Sequence, residues 1–139
     1  MTAAGEFAPR RGKVVPAVLA VAALVIFLGV AILVPEKYQL VDRIAFFGMG
    51  LSIAALLLRY VTIRAVPRED GLWVRNIGAG QLVPWSEIEA VRFSDGMPWV
   101  RLDLADGDEQ AVMAIQRADG HRSVEEAQRL ADLIAAHQR

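Results

Sequence analysis

Catalysis needs side chains that can take a proton, attack, or hold a metal, and this 139-residue chain offers few in workable spacing. It has no cysteine, which removes disulfides, thiolate metal sites, thiol catalysis and cysteine lipidation together. The two histidines, His121 and His137, have no metal-ligand spacing to each other. Ser52 sits in an apolar run, Ser86 and Ser94 in turns, and Ser123 before a helical pattern; none has a base close by in sequence. Asp103, Asp106, Asp108 and Glu109 cluster around one hairpin but lack the spacing of a calcium loop, so a solvated acidic turn is expected. No glycine-rich phosphate loop leads from a strand into a helix. The expectation is a protein with no catalytic centre, no cofactor and no metal.

Binding chemistry is better represented. Trp73 with Arg75, and Trp99 with Arg101, stand opposite the aliphatic residues of two alternating segments. Trp and Arg are the commonest anchors of protein interfaces, so these four are the candidate partner-binding residues. The competing reading is that the tryptophans are covered by neighbouring strands. Gly48 with Ser52, and Gly50 with Ala54, are spaced i, i+4 in an apolar run, where small residues let two helix backbones approach. They are candidate helix-packing residues, within one chain or between copies in a homo-oligomer, although such residues are common in spans.

Those residues need elements to position them, and charge divides the chain in two. Residues 1–66 carry seven basic and three acidic groups; residues 67–139 carry eight arginines, no lysine and thirteen acids. The second part is net negative, a poor candidate for binding nucleic acid or an anionic lipid surface by long-range attraction. The preference for Arg and Ala over Lys points to a GC-rich bacterial genome.

Residues 14–34 form an uninterrupted uncharged run. As a helix it is ~31 Å long, about the hydrocarbon thickness of a bilayer. Arg10, Arg11 and Lys13 precede it, as in a signal peptide, and Gly29 and Ala31 give a weak small-x-small site, but the run exceeds the usual apolar region of such peptides. An uncleaved span is expected, preceded by a disordered cytoplasmic segment 1–13. A second span over 44–63 has Arg59 to snorkel and Tyr60 for the headgroup belt. Basic residues flank both outer ends (Arg10, Arg11, Lys13; Arg59, Arg64, Arg68) and are fewer in the connector (Lys37, Arg43). The positive-inside rule then puts both termini in the cytoplasm of a multi-pass cell-membrane protein.

Beyond residue 60 the apolar period changes to two. Strands are expected at 63–67, 71–76, 81–85, 88–93, 99–105 and 109–115, separated by turn signals such as Asp70 before Gly71, Asp95 before Gly96 and Asp106 before Gly107. The fold class expected is α+β: a two-helix transmembrane hairpin, then a small antiparallel β-barrel or sandwich over 64–139, closed by a helix. In that helix Ser123 and Glu126 fit a capping box, and Val124, Ala127, Leu130, Ala131 and Ile134 recur at helical spacing.

Pro84, Trp85, Ser86, Glu87, Ile88, Glu89, Ala90 and Val91 end one strand on a proline and an aromatic, pass an acidic turn, and open the next strand. With the segment 71–76 upstream and a terminal helix, residues 14–137 resemble bacterial PH-like domain membrane proteins. The chain is most similar to the actinobacterial group described as low molecular weight protein antigen 6, which joins two spans to one PH-like domain. The resemblance implies two nearly orthogonal sheets of seven strands in all, of which six are legible here. It does not imply a phosphoinositide site: the segment 66–71 offers Arg68 beside Glu69 and Asp70, too little positive charge for an inositol polyphosphate.

The function expected is a non-enzymatic, membrane-anchored PH-like interaction module showing a cytoplasmic surface to a protein partner. The alternative is an accessory subunit of a membrane enzyme or transporter acting through its spans. A weaker alternative is lipid or small-molecule binding by the barrel.

Overall fold

The structure is a computed structural model that describes residues 5–139. It divides into two compact units, one of residues 13–61 and one that combines the N-terminal segment with residues 62–139.

The first unit is a pair of helices, α1 (Arg11–Leu33) and α2 (Leu40–Val61). Both are long and apolar enough to cross a membrane, with mean hydropathy 2.8 and 1.9. Each begins a few residues earlier than the apolar run alone indicates, because polar groups cap it. Asp42 accepts the backbone N–H of Gln39 at 2.8 Å, the return half of a capping box that starts α2. Arg43 donates to the carbonyls of Ala31, Ile32 and Val34 at 2.8–3.0 Å. Those are carbonyls that the end of α1 leaves without helical partners. The seam between the helices is built from small residues: Ala20 and Ala31 of α1, Gly50 and Ala54 of α2 are buried. A Cβ at Gly50 would lie 2.6 Å from the Phe27 Cβ, so only glycine permits this approach.

The second unit holds β1 (Arg64–Pro67), β2 (Gly71–Arg75), β3 (Gly80–Pro84), β4 (Ile88–Arg92), β5 (Trp99–Leu104), β6 (Glu109–Gln116) and α3 (His121–His137). The expected strands and the α+β class are realised. The strands form two antiparallel sheets, β1-β2-β3 and β4-β5-β6. They do not join into one closed barrel; the unit is a sandwich. Alternation explains the packing: Leu72 and Val74 of β2, and Val100 and Leu102 of β5, all turn into a single core. That core is fully sealed, with Ile88, Val112, Ile115 and Leu130 at 2% exposure or less. Asn76 spans the two sheets, accepting from the Met113 N–H and donating to the Ala111 carbonyl, and Gln81 donates to Gln110. The helix α3 packs on β4 and β6. Its last turn is fixed by Trp85, whose ring stacks on His137 at 4.4 Å, and by Gln138, which donates to the carbonyls of Trp85 and Ile88.

Three sequence expectations need correction. The segment 1–13 is not free over its described part. Phe7 forms an antiparallel bridge with Ala65, with backbone bonds of 2.8 and 2.9 Å in both directions, and its ring is 1% exposed in the core. Asp119 accepts the N–H groups of Arg10 and Arg11. A lone apolar residue among small polar ones carries no period, so tertiary pairing alone recruits it; residues 1–4 lie outside the described residues. Ile63, placed above both at the end of the second span and at the start of the first strand, is fully buried in the sandwich core, as the strand assignment expects. Ser123 is not an N-cap. Gly120, at φ 67°, precedes a helix that already runs from His121, and the Ser123 hydroxyl, buried inside the first turn, donates to the Gly120 carbonyl at 2.6 Å. Glu126 pairs with Arg129 instead, and Val124 is 55% exposed.

Candidate interaction surfaces

The four candidate partner-binding residues do not form one patch. Trp73 and Arg75 belong to the first sheet and Trp99 and Arg101 to the second, and both sheets turn their aliphatic rows into the shared core. The two pairs therefore belong to different sheets, with Trp73, Arg75 and Arg101 opposite the aliphatic rows and Trp99 packed against the core.

The outer face of β1-β2-β3 is basic and aromatic. Gly80, the neighbour of β2 on β3, lacks the Cβ that would collide with the six-membered ring of Trp73, and the half-buried indole takes that space. The guanidinium carbons of Arg64 and Arg68 sit 5.5 and 5.2 Å from the Trp73 ring centroid. Such cation–π contacts contribute roughly 0.5–1 kcal/mol each at exposed sites. Arg75 is the direct cross-strand partner of Arg64. Among the described residues, no carboxylate lies within ion-pair distance of Arg64, Arg68 or Arg75. The Arg75 Nε is buried without a hydrogen-bond partner.

The outer face of β4-β5-β6 is electrically different. Arg101 holds Glu109 at 2.9 Å, and Arg92 holds Asp103 at 2.6 Å. These are partly exposed pairs, each worth about 0–1 kcal/mol. Their larger effect is to cancel charge on that face. Trp99 is half-buried against the core, next to an irregularity in the β5–β6 register, and its indole N–H is buried without a partner.

The helix-packing candidates also separate. Gly50 and Ala54 lie in the seam, whereas a Cβ at Gly48 would meet nothing within 4 Å. Ser52 is exposed, and its hydroxyl donates to the Gly48 carbonyl at 2.8 Å, the usual i−4 bond of a serine inside a helix. His121 is exposed at the start of α3, and His137 is engaged by Trp85. Among the described residues no group of three His, Asp or Glu side chains is placed to hold a metal ion. The acidic hairpin is an ordinary turn in which Asp106 accepts the Asp108 N–H. A groove of about 540 Å³ runs beside the N-terminal segment, between Gly5, Pro67, Arg129, Asp132 and Leu133.

Sequence reasoning missed Phe7, Arg64 and Arg68. For the arginines the signal was present: the hairpin register that puts residue 67 opposite 72 also puts Arg64 opposite Arg75. For Phe7 there was no pattern to find.

An open two-sheet sandwich with a C-terminal helix, following two apolar helices, defines a PH-like module. The chain belongs to the bacterial PH domain family, whose model matches residues 63–133. It is also similar to uncharacterised proteins of Mycobacterium tuberculosis and Mycobacterium bovis, at 36% identity over 100 residues, which cover 72% of this chain and 65% of each relative. The match therefore spans about two-thirds of the relatives' length. No solved structure gives a significant match.

Proposed function

We propose that the chain is a non-enzymatic, two-span membrane protein that presents its PH-like sandwich in the cytoplasm as a docking module for a protein partner. The observation that carries this reading is the junction. The apolar helix α2 ends at Val61 and β1 begins at Arg64, so only Thr62 and Ile63 separate a candidate span from a folded binding module. Such a connection has no length for a free linker, and Ile63 is itself a core residue. The partner surface we favour is on the second sheet, where the half-buried Trp99 and the charge-paired Arg101 stand two positions apart on β5. Aromatic side chains with a polar handle in a charge-balanced setting are typical anchors.

The absence of cysteine makes topology directly testable. Single cysteines introduced at Tyr38 and Asp95 are challenged with a membrane-impermeant maleimide in intact cells. The reading expects Tyr38→Cys to be labelled and Asp95→Cys to be protected until the cells are opened. The reverse pattern refutes the orientation, and equal labelling refutes the spans. For the docking role, crosslinked partners should be lost with Trp99→Ala and kept with Gly50→Leu. The opposite result supports the accessory-subunit alternative, in which the spans form the working interface.

A further inference from the structure

We infer that the outer edge of β3 is a pairing surface for a second copy of this chain, with the two β3 strands antiparallel and Leu82 opposite Leu82. The inference goes beyond the docking reading, since it uses the edge of the first sheet and leaves the second sheet free for a partner.

The starting point is how the two sheets treat their edges. An edge strand presents a row of unpaired N–H and C=O groups, which proteins cover or blunt with charge. The edge of β1 is covered by the Phe7 bridge. β4 carries Glu89 and Arg92, and α3 packs on it. β6 is bonded by Asn76 at the Ala111 carbonyl and the Met113 N–H. β3 is treated differently. It has no charged residue, and among the described residues no backbone bond reaches it from outside its sheet. Its blunting is confined to Pro84 at the end, and Leu82 at its middle is 42% exposed. The direction of the backbone groups follows from the hairpins. The Gly71 carbonyl accepts from Arg68 on the β1 side, so by alternation Leu72 and Val74 exchange bonds with Val83 and Gln81. Gly80, Leu82 and Pro84 therefore turn their backbone groups outward, away from β2.

Self-complementarity selects the occupant. In an antiparallel pair centred on Leu82, the two Leu82 residues exchange both backbone bonds, and each Gly80 N–H donates to the Pro84 carbonyl of the other copy. Every outward N–H then has an acceptor, and Pro84 has no N–H to leave unmade. Charge agrees with this arrangement. Arg75 is the cross-strand partner of Gly80 at one end of the edge, whereas Asp70, which accepts the Trp85 N–H, and Glu87 adjoin Pro84 at the other. Among the described residues none of these three is in an ion pair. Antiparallel pairing brings the basic end of each copy to the acidic end of the other. The exposed Leu82 side chains meet and shield one another. An edge that matches itself under a two-fold rotation is what an isologous interface requires.

The experiment uses the full chain in isolated membranes, where the absence of cysteine lets single cysteines map the contact. Directly opposed residues of such a pair have Cα atoms about 5.5 Å apart, within disulfide range. Under a mild oxidant Leu82→Cys should give a covalent dimer, whereas the exposed Ala79→Cys and Glu89→Cys should not. In detergent micelles Leu82→Lys and Leu82→Glu should each weaken the dimer about fivefold or more, and the two mixed should restore it. Leu82→Pro removes an outward N–H that β2 does not use, and should leave a monomer with the near-UV circular dichroism of the sandwich. No crosslink at Leu82→Cys, or equal crosslinking at Glu89→Cys, overturns the inference. So does an adduct of Leu82→Cys to a different protein, which makes the edge a site for a partner strand. A dimer that survives Leu82→Pro and is lost with Gly50→Leu places the contact in the helices and also overturns it. Loss of crosslinked partners with Trp99→Ala tests the docking reading separately, whichever way these results fall.

Discussion

Phe7→Ala removes a ring that is 1% exposed and wedged between β1 and α3, with the Arg129 guanidinium 3.8 Å from its centroid. The two backbone bonds to Ala65 involve no side-chain atoms, so alanine can keep them. What is lost is burial and the cavity left behind, about 3–5 kcal/mol for a core phenylalanine. The cation–π contact adds roughly 0.5–1 kcal/mol. A small domain has only about 5–15 kcal/mol in hand, so the substitution should remove a large share of the stability of the sandwich. At ~4–8 °C per kcal/mol for a unit of this size, the midpoint should fall by about 12 °C or more. Near-UV circular dichroism of the full chain in detergent micelles follows the transition, because Trp73, Trp85 and Trp99 all lie in this unit. Phe47→Ala, at a position on α2 that is 38% exposed, is the matched control and should leave the sandwich midpoint unchanged. A fall of less than ~4 °C for Phe7→Ala would mean the N-terminal segment is not a structural part of the sandwich.

Gly50→Ala should weaken the helical hairpin by roughly 1–3 kcal/mol, because Phe27 must move, whereas Gly48→Ala should be neutral or slightly stabilising; unfolding by SDS in mixed micelles compares them. Gly80→Ala should displace the Trp73 ring and shift tryptophan emission to longer wavelength, with an unshifted spectrum contradicting the packing described. Gln138→Leu leaves the Trp85 and Ile88 carbonyls without their side-chain donor and should cost about 1–3 kcal/mol, seen as faster amide exchange over the last turn of α3.

The elements were legible because each rests on a local pattern. An uncharged run long enough for a bilayer marks α1, and alternation with Asp-Gly turns marks β2, β5 and β6. The proline and tryptophan at 84 and 85 mark where the first sheet ends and the second begins, and in the structure Trp85 is the post on which the end of α3 is fixed. Capping was less legible. The Ser123 and Glu126 spacing fits a capping box, but Gly120 at positive φ lets the helix begin two residues before Ser123 and turns that hydroxyl inward.

By itself, then, the sequence determined which segments become helices and strands, where the chain turns, and that two helices have bilayer-spanning length and composition. Those properties depend on neighbours a few residues away. Only the tertiary structure decided the rest. It brought Phe7 to Ala65, 58 positions later, and so made part of an unpatterned segment into core. It chose Gly50 over Gly48 as the close contact, by the phase of α2 against Phe27. It separated two similar Trp and Arg pairs onto different sheets, and gave the strand arginines of one sheet carboxylate partners while, among the described residues, leaving those of the other without. Charge pairing depends on distances across strands and sheets, and those distances exist only once the register is set.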